Sequence, residues 1–224
     1  MVPVAPPLFF VDDLDRPQLG EADAHHARRV LRLRDRQEVT VGDGRGSWRP
    51  VRFGDVLDPV GEVVHEPEPA PRLTVAFALV KGAKPELVVQ KLTEVGVDRI
   101  VPFAAERSVV RWDEVKAERA LQRWQMVARE AAMQCRRAWL PEVCGVGTSE
   151  GVLGGPGAVR ADMGGRRLDG GDRVVAIGPE GGWSPAEVAR SRDAVVLGPH
   201  VLRAETAAIV AGAAMVALRT SDPG

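Results

Sequence analysis

Cysteine is scarce in this sequence: Cys135 and Cys144 are the only two among 224 residues, in no CxxC pair and near no histidine at ligand spacing. Histidine is almost as rare, and His25, His26, His65 and His200 make no HExxH pattern. No metal site is therefore expected. No apolar run approaches the roughly 18 residues that span a bilayer. The start, MVPVAPPLFFVDDLD, has neither the basic residues nor the long apolar stretch of a secretory signal. The expectation is a cytoplasmic chain with no membrane association. An excess of one charge is lacking as well: the net charge of −1 gives no bulk electrostatic argument for a nucleic-acid partner.

What is present is ample apolar content, 45%, beside an ordinary 27% of charged residues. That supports a packed core, and the length fits a small domain followed by a medium one. The stretch EPEPAPR at 66–72 alternates proline with other residues and favours a stiff, extended chain, so it marks the expected boundary between domains 1–71 and 72–224.

Upstream of it, PLFFV, EVTVGDG, RPVRFGDVL and GEVVHE read as short strands. Asp43-Gly44 and Gly46-Ser47 supply turn signals, and one helix is expected at about 21–33. Together these predict a small β-barrel. Its local charge is uneven. Arg28, Arg29, Arg32, Arg34 and Arg36 face one acid, Asp35, and form either a phosphate-binding patch or a solvated surface.

Downstream, strands alternate with helices, which predicts a mostly parallel sheet covered on both faces. The expected strands are 73–80, 98–105, 158–163, 174–178 and 194–198. A long helix is expected at 113–137, with 117, 120, 121, 124, 127, 128, 131 and 135 on its apolar face. The last helix, 205–218, is apolar almost all round and must be buried, either within the domain or against a second subunit.

Ligands of open α/β sheets bind beyond the carboxyl ends of strands, and two strand ends here are unusual. In VVAIGPEGGWSPAEV, Ser184, Pro185 and Glu187 form a helix-starting capping box, which leaves Gly178, Glu180, Gly181 and Gly182 to the loop. Gly181 and Gly182 permit positive φ and close backbone approach to a ligand; a tight turn alone requires the same residues. In AVVLGPHVLRAETAAIVAG, the charged Arg203-Ala204-Glu205-Thr206 stands at the mouth of a buried helix, as a functional group or as a helix-closing ion pair. Two such loops on one sheet favour a shared pocket.

IGPEGGWSPAE followed by LGPHVLRAETA resembles the cofactor-binding end of the SPOUT superfamily. HHARRVLRLRDRQEVTVGDG, KPELVVQKLTEVGVDRIVPF and REAAMQCRR narrow the likeness to the ribosomal RNA small-subunit methyltransferase E family, over nearly the whole chain. The resemblance implies a PUA-like β-barrel that helps bind RNA, then an α/β methyltransferase domain tied in a deep trefoil knot. It implies S-adenosylmethionine as cofactor, N3 of a uridine in small-subunit (16S) ribosomal RNA as target, the assembled subunit as the form acted on, and a homodimer. By position, Gly178, Glu180, Gly181 and Gly182 match one cofactor loop. Leu197, Gly198, Leu202 and Arg203 match the next, followed by Glu205, Thr206 and Ala207. A further cofactor loop is expected after AVRADM, near Asp162, where MGGRRLDGG carries no distinctive signature.

For the transfer so implied, Arg203 is the candidate to stabilise charge developing on the base or to hold a phosphate, and Glu205 to orient Arg203 or accept a proton. His200, in the same loop, is either a base or a surface residue. Arg28, Arg29 and Arg32, then Arg129, Arg136 and Arg137 with Arg107 and Arg111, make an RNA track or a solvated surface.

Overall fold

A computed structural model describes residues 6–79, 84–108, 112–191 and 193–220, and these fall into two units. The first comprises the chain up to Glu68 together with Ala132–Leu140; the second comprises Pro69–Ala131 and the chain from Pro141.

In the first unit, short apolar runs form β1 (Leu8–Phe10), β2 (Glu38–Gly42), β3 (Ser47–Arg52), β4 (Asp58–Pro59) and β5 (Val64–His65). β1 runs parallel to β2, β2 and β3 form an antiparallel hairpin, and β4 and β5 both add to β3. The hairpin loop is set by Asp43, whose carboxylate accepts the N–H groups of Arg45 at 2.7 Å and Ser47 at 3.0 Å. Alternation sends Val39, Val41 and Val51 inward against Phe9.

The helix expected over 21–33 is shorter. α1 (Glu21–His25) passes into a π-type turn at His26–Val30, and the helix stops where Arg32 turns left-handed at φ +51°. The Leu33 N–H then returns to the Ala27 carbonyl at 3.0 Å, a wide form of the usual left-handed helix stop. Arg28 and Arg32 therefore do not share the helical face that i, i+4 spacing would give them.

The second unit is built on a sheet in which every ladder is parallel. β6 (Thr74–Ala78) is buried at all five residues, as a strand covered on both faces must be; Val80, the end of the expected strand, lies outside the described residues. With β7 (Arg99–Ala104), β8 (Glu142–Val143), β9 (Gly147–Thr148), β10 (Ala158–Arg167), β11 (Val174–Ile177) and β12 (Ala194–Val196), the order is β12-β10-β11-β6-β7-β8, β9 also pairing β7. The helices are α2 (Lys84–Val95), α3 (Glu114–Cys135), α4 (Ser149–Leu153), α5 (Pro185–Arg190) and α6 (Ala204–Thr220). α2 ends at Gly96, φ +99°. α6 packs on α2 through Gly212, where a Cβ would meet Leu92 at 2.7 Å. No helix among the described residues is long and apolar enough to cross a membrane.

Two local readings are corrected. In α3, Trp124 and Ala128 are buried as expected, but Cys135 is exposed and Ala132 is the inward residue, packed with Leu8 and Phe10. The helix closes there: Arg136 adopts φ +60° and the Arg137 N–H bonds the Ala132 carbonyl at 2.9 Å, a Schellman stop. The glycine-rich MGGRR segment is part of a strand, not a loop following one. β10 pairs with β12 at Arg160–Ala161 and again at Arg166–Arg167, and the four residues between bulge out. Gly165 makes this possible, since a Cβ there would lie 2.5 Å from the Ala194–Val195 backbone.

Candidate functional site

Three neighbouring strands of the second unit, β10, β11 and β12, send their carboxyl-side segments to one cleft of about 780 Å³. That size suits a nucleoside-sized ligand. The bulge of β10 contributes Ala161, Asp162 and Met163; the loop after β11 contributes Gly178, Glu180, Gly182 and Trp183; the segment after β12 contributes Leu197, Gly198, Leu202 and Arg203, with Ala207 from the first turn of α6.

The β11 loop is held at both ends. At its start Gly178 lies beneath Trp183, and a Cβ there would come within 2.8 Å of the indole. Trp183 in turn donates its indole N–H to the Ala161 carbonyl at 3.0 Å and stacks on Phe103, so the second wall is bonded to the first. Gly182, at φ +70°, closes a turn through its N–H to the Pro179 carbonyl at 2.9 Å. At its end stands the capping box: Ser184 accepts the Glu187 N–H at 3.1 Å, and Glu187 accepts the Ser184 N–H at 2.9 Å. The other oxygen of Glu187 accepts the Glu106 N–H at 2.9 Å. Burial works to raise the pKa of Glu187, yet the N–H groups of Ser184 and Glu106 hold it below the ordinary carboxylate value.

Arg203 occupies the N-cap of α6, with its carbonyl accepting the Ala207 N–H at 2.8 Å and its exposed side chain lining the cleft. A cation at this end of a helix opposes the macrodipole, so helix stability does not account for it. Glu205 is its expected partner, but no Arg203–Glu205 ion pair occurs among the described residues. Glu205 instead lies behind the wall with Lys84 Nζ at 3.1 Å, and Lys84 also reaches Glu180 at 3.7 Å. Burial tends to raise the Glu205 pKa, but its own backbone N–H and the Lys84 ammonium bring it below the usual value.

The other expected positions divide clearly. Gly181 and Thr206 do not line the cleft, and Gly181 is set against Arg107, whose guanidinium donates to its carbonyl at 3.4 Å. Of the pair Gly181 and Gly182, only Gly182 uses positive φ. Asp162 and His200 both line the cleft. In the first unit, Arg28 is engaged with Asp55 at 2.6 Å and lies over the Phe53 ring, whereas Arg29, Arg32 and Arg136 are exposed. Arg129 and Arg137 are half-buried, and Arg111 lies outside the described residues. Lys84 and Met163 were not singled out in the sequence. Lys84 sits one residue before the helix-opening Pro85 and reads there as part of a helix start. Met163 is brought to the cleft by a bulge that no periodicity announces.

The comparisons with known proteins agree with this geometry. An RNA methyltransferase domain model matches residues 66–216, and an RNA methyltransferase PUA domain model matches 19–55. The ribosomal RNA small subunit methyltransferase E of Mycobacterium bovis is 33% identical, over 91% of this chain and 88% of its own; that of Bacillus subtilis is 30% identical, over 91% and 93%. A methyltransferase of Legionella pneumophila, solved with S-adenosylmethionine bound, superposes with a TM-score of 0.83 at 25% identity, covering 96% of this chain and 98% of that one. The Neisseria gonorrhoeae ribosomal RNA small subunit methyltransferase E, also with S-adenosylmethionine bound, gives 0.75 at 28% identity over 94% and 96%. A PUA-type domain, a parallel α/β domain and a cleft at its strand ends thus occur together in one chain that these two curated relatives match over 91% of its length. The chain belongs to the ribosomal RNA small subunit methyltransferase E family.

Proposed function

We propose that the chain methylates N3 of a uridine in 16S ribosomal RNA, within the assembled small subunit, with S-adenosylmethionine bound in the β10–β11–β12 cleft. The observation that carries this reading is Arg203: a cation on the cleft wall at a helix end where stability would favour an anion. The cleft fits the cofactor in chemistry as well as size. Leu197, Leu202 and Ile177 offer apolar surface, while Gly178, Gly182 and Gly198 leave backbone groups open to a ligand.

When bound, S-adenosylmethionine supplies an electrophilic methyl group on a sulfonium centre. The residues of the chain must orient the base and exclude water. Uridine N3 carries a proton, and its loss leaves negative charge on the base, which the Arg203 guanidinium stabilises as it develops. Asp162, Glu180 and His200 are the cleft groups able to take that proton. Glu205 does not line the cleft and is paired with Lys84 behind its wall, so it is not placed to take that proton.

The trefoil knot belongs to the same reading, supported by the close backbone approach of Gly165 to Ala194 and Val195 where β12 enters the bulge of β10. So does the homodimer. α6 buries Ala208, Ala211 and Met215 in its own unit and leaves Thr206 and Ala213 exposed, with Ile209 and Val210 half-buried beside them, as a face for a second copy.

The test is nucleoside mass spectrometry of 16S RNA from small subunits of a strain lacking the enzyme, incubated with the protein and S-adenosylmethionine. N3-methyluridine is expected; methylation of another atom or another RNA would replace the assignment. Arg203→Ala should lower the methylation rate about 100-fold or more, with cofactor affinity changed by no more than about threefold. Equal losses in both would make Arg203 a cofactor-binding residue.

A further inference from the structure

Among the described residues, Lys84 contacts carboxylates of two cleft-forming segments at once. It stands at the first residue of α2, outside the cleft lining, with its ammonium 3.1 Å from Glu205 in the first turn of α6 and 3.7 Å from Glu180 in the loop after β11. The two carboxylates differ in kind. Glu205 is mostly buried, with a side chain 13% exposed, whereas Glu180 is 68% exposed and lies on the cleft itself. The second oxygen of Glu205, Oε2, is buried with no hydrogen-bond partner; Lys84 is the cation in direct contact with this carboxylate, and Arg203 acts on it from farther away. Burying an ionised carboxylate is costly, and its one ammonium partner is thereby held in a fixed place.

We infer that Lys84 is a positioning residue for the cofactor cleft: anchored by buried Glu205, it holds the loop after β11 against the start of α6 by drawing on exposed Glu180. The physical logic is asymmetric. A surface pair such as Lys84–Glu180 contributes little when both side chains are free to wander. Here one partner is already immobilised, so much of the ordering cost has been met before Glu180 joins. The carboxylate of Glu180 then reports the spacing between two cleft walls that have no covalent link nearer than the residues of α5 and β12. A lysine so placed acts on binding through the loop and need not touch the ligand. This rests on the cleft being the cofactor site.

A double-mutant cycle on the full-length protein tests the inference, with S-adenosylhomocysteine as probe and calorimetry as readout. Lys84→Met should weaken binding roughly tenfold, the scale of an ordinary coupling between sites. Lys84→Arg, which keeps the cation, should recover to within about threefold of wild type. In a Glu180→Gln background the further change Lys84→Met should cost little, because the loop has already lost its tether. Equal losses from Lys84→Met with and without Glu180 would overturn the tether, since a purely supporting role for Glu205 predicts additivity. Unchanged binding in Lys84→Met would overturn it as well. Wild-type protein that fails to bind S-adenosylhomocysteine would instead overturn the cofactor reading and leave the ion-pair geometry untouched. If Lys84→Met does not fold, Glu180→Gln alone decides: amide hydrogen exchange across 178–184 should quicken in the unliganded protein, and an unchanged rate sinks the proposal.

Discussion

Among the described residues, the non-glycine positions with positive φ are Arg32, Arg36 and Arg136, all arginine and all exposed. A left-handed conformation costs an L-residue about 1 kcal/mol, and glycine or asparagine would fill it more cheaply. A long basic side chain at three positions where glycine would be cheaper points to a role for the side chain itself. Arg32→Gly and Arg136→Gly should therefore each raise the melting temperature by a few degrees while weakening binding to small subunits and flattening its salt dependence by about one unit each. If stability rises and subunit binding stays constant, these arginines are only surface. Glu187 gives the residue scale its pH dependence. Its folded pKa is depressed, so its contribution is present above the unfolded carboxylate value and is lost as pH falls through the folded one. Glu187→Gln should cost about 1–3 kcal/mol near neutrality, and the gap from wild type should narrow on acidification in pH-resolved melts.

At the scale of elements, the loop after β11 shapes the site, and its glycines differ in what they tolerate. Gly178→Ala forces a methyl group into the Trp183 indole and should displace the residue that joins the β11 loop to β10, weakening S-adenosylhomocysteine binding by tenfold or more. Gly181→Ala places its methyl group 3.4 Å from Arg107, an ordinary distance at the edge of tightness, and should bind within about threefold of wild type. Calorimetry on the two variants checks the contrast. This loop was legible in the sequence because Ser184, Pro185 and Glu187 announce a helix start through local chemistry alone. The parallel sheet was legible for a related reason: apart from Thr74, LTVAFAL and VVAI are apolar throughout, as expected of doubly covered strands. Lys84 and the β10 bulge were not legible. Their meaning comes from partners 96 and 121 positions away in the case of Lys84, and from β12 pairing in the case of Gly165, and neither leaves a period in the sequence. The early stops after α1 and α3 escaped notice because arginine, not glycine, takes the left-handed position.

At the scale of the whole molecule, the outer face of α6 predicts assembly. The chain should scatter light at twice its 24.1 kDa mass, and Ala213→Glu, at an exposed position, should yield a folded monomer. A wild-type monomer at micromolar concentration would remove the dimer from the reading. The cleft has a different consequence. Its walls begin at Ala161 and are completed only by Ala207, and they meet because β10, β11 and β12 are neighbours in a sheet whose order is not the order of the chain. Nothing shorter than that sheet can hold the ligand, so a growing or partly unfolded chain has no weaker version of the site to offer. Such non-local assembly is slow, because loop closure precedes its reward. Ligand present during refolding should leave the early rate unchanged and act only on the last species to form, by slowing its escape. The cell's methyl donor would then serve as a final inspection of each copy, retaining those in which the last helix has found its place.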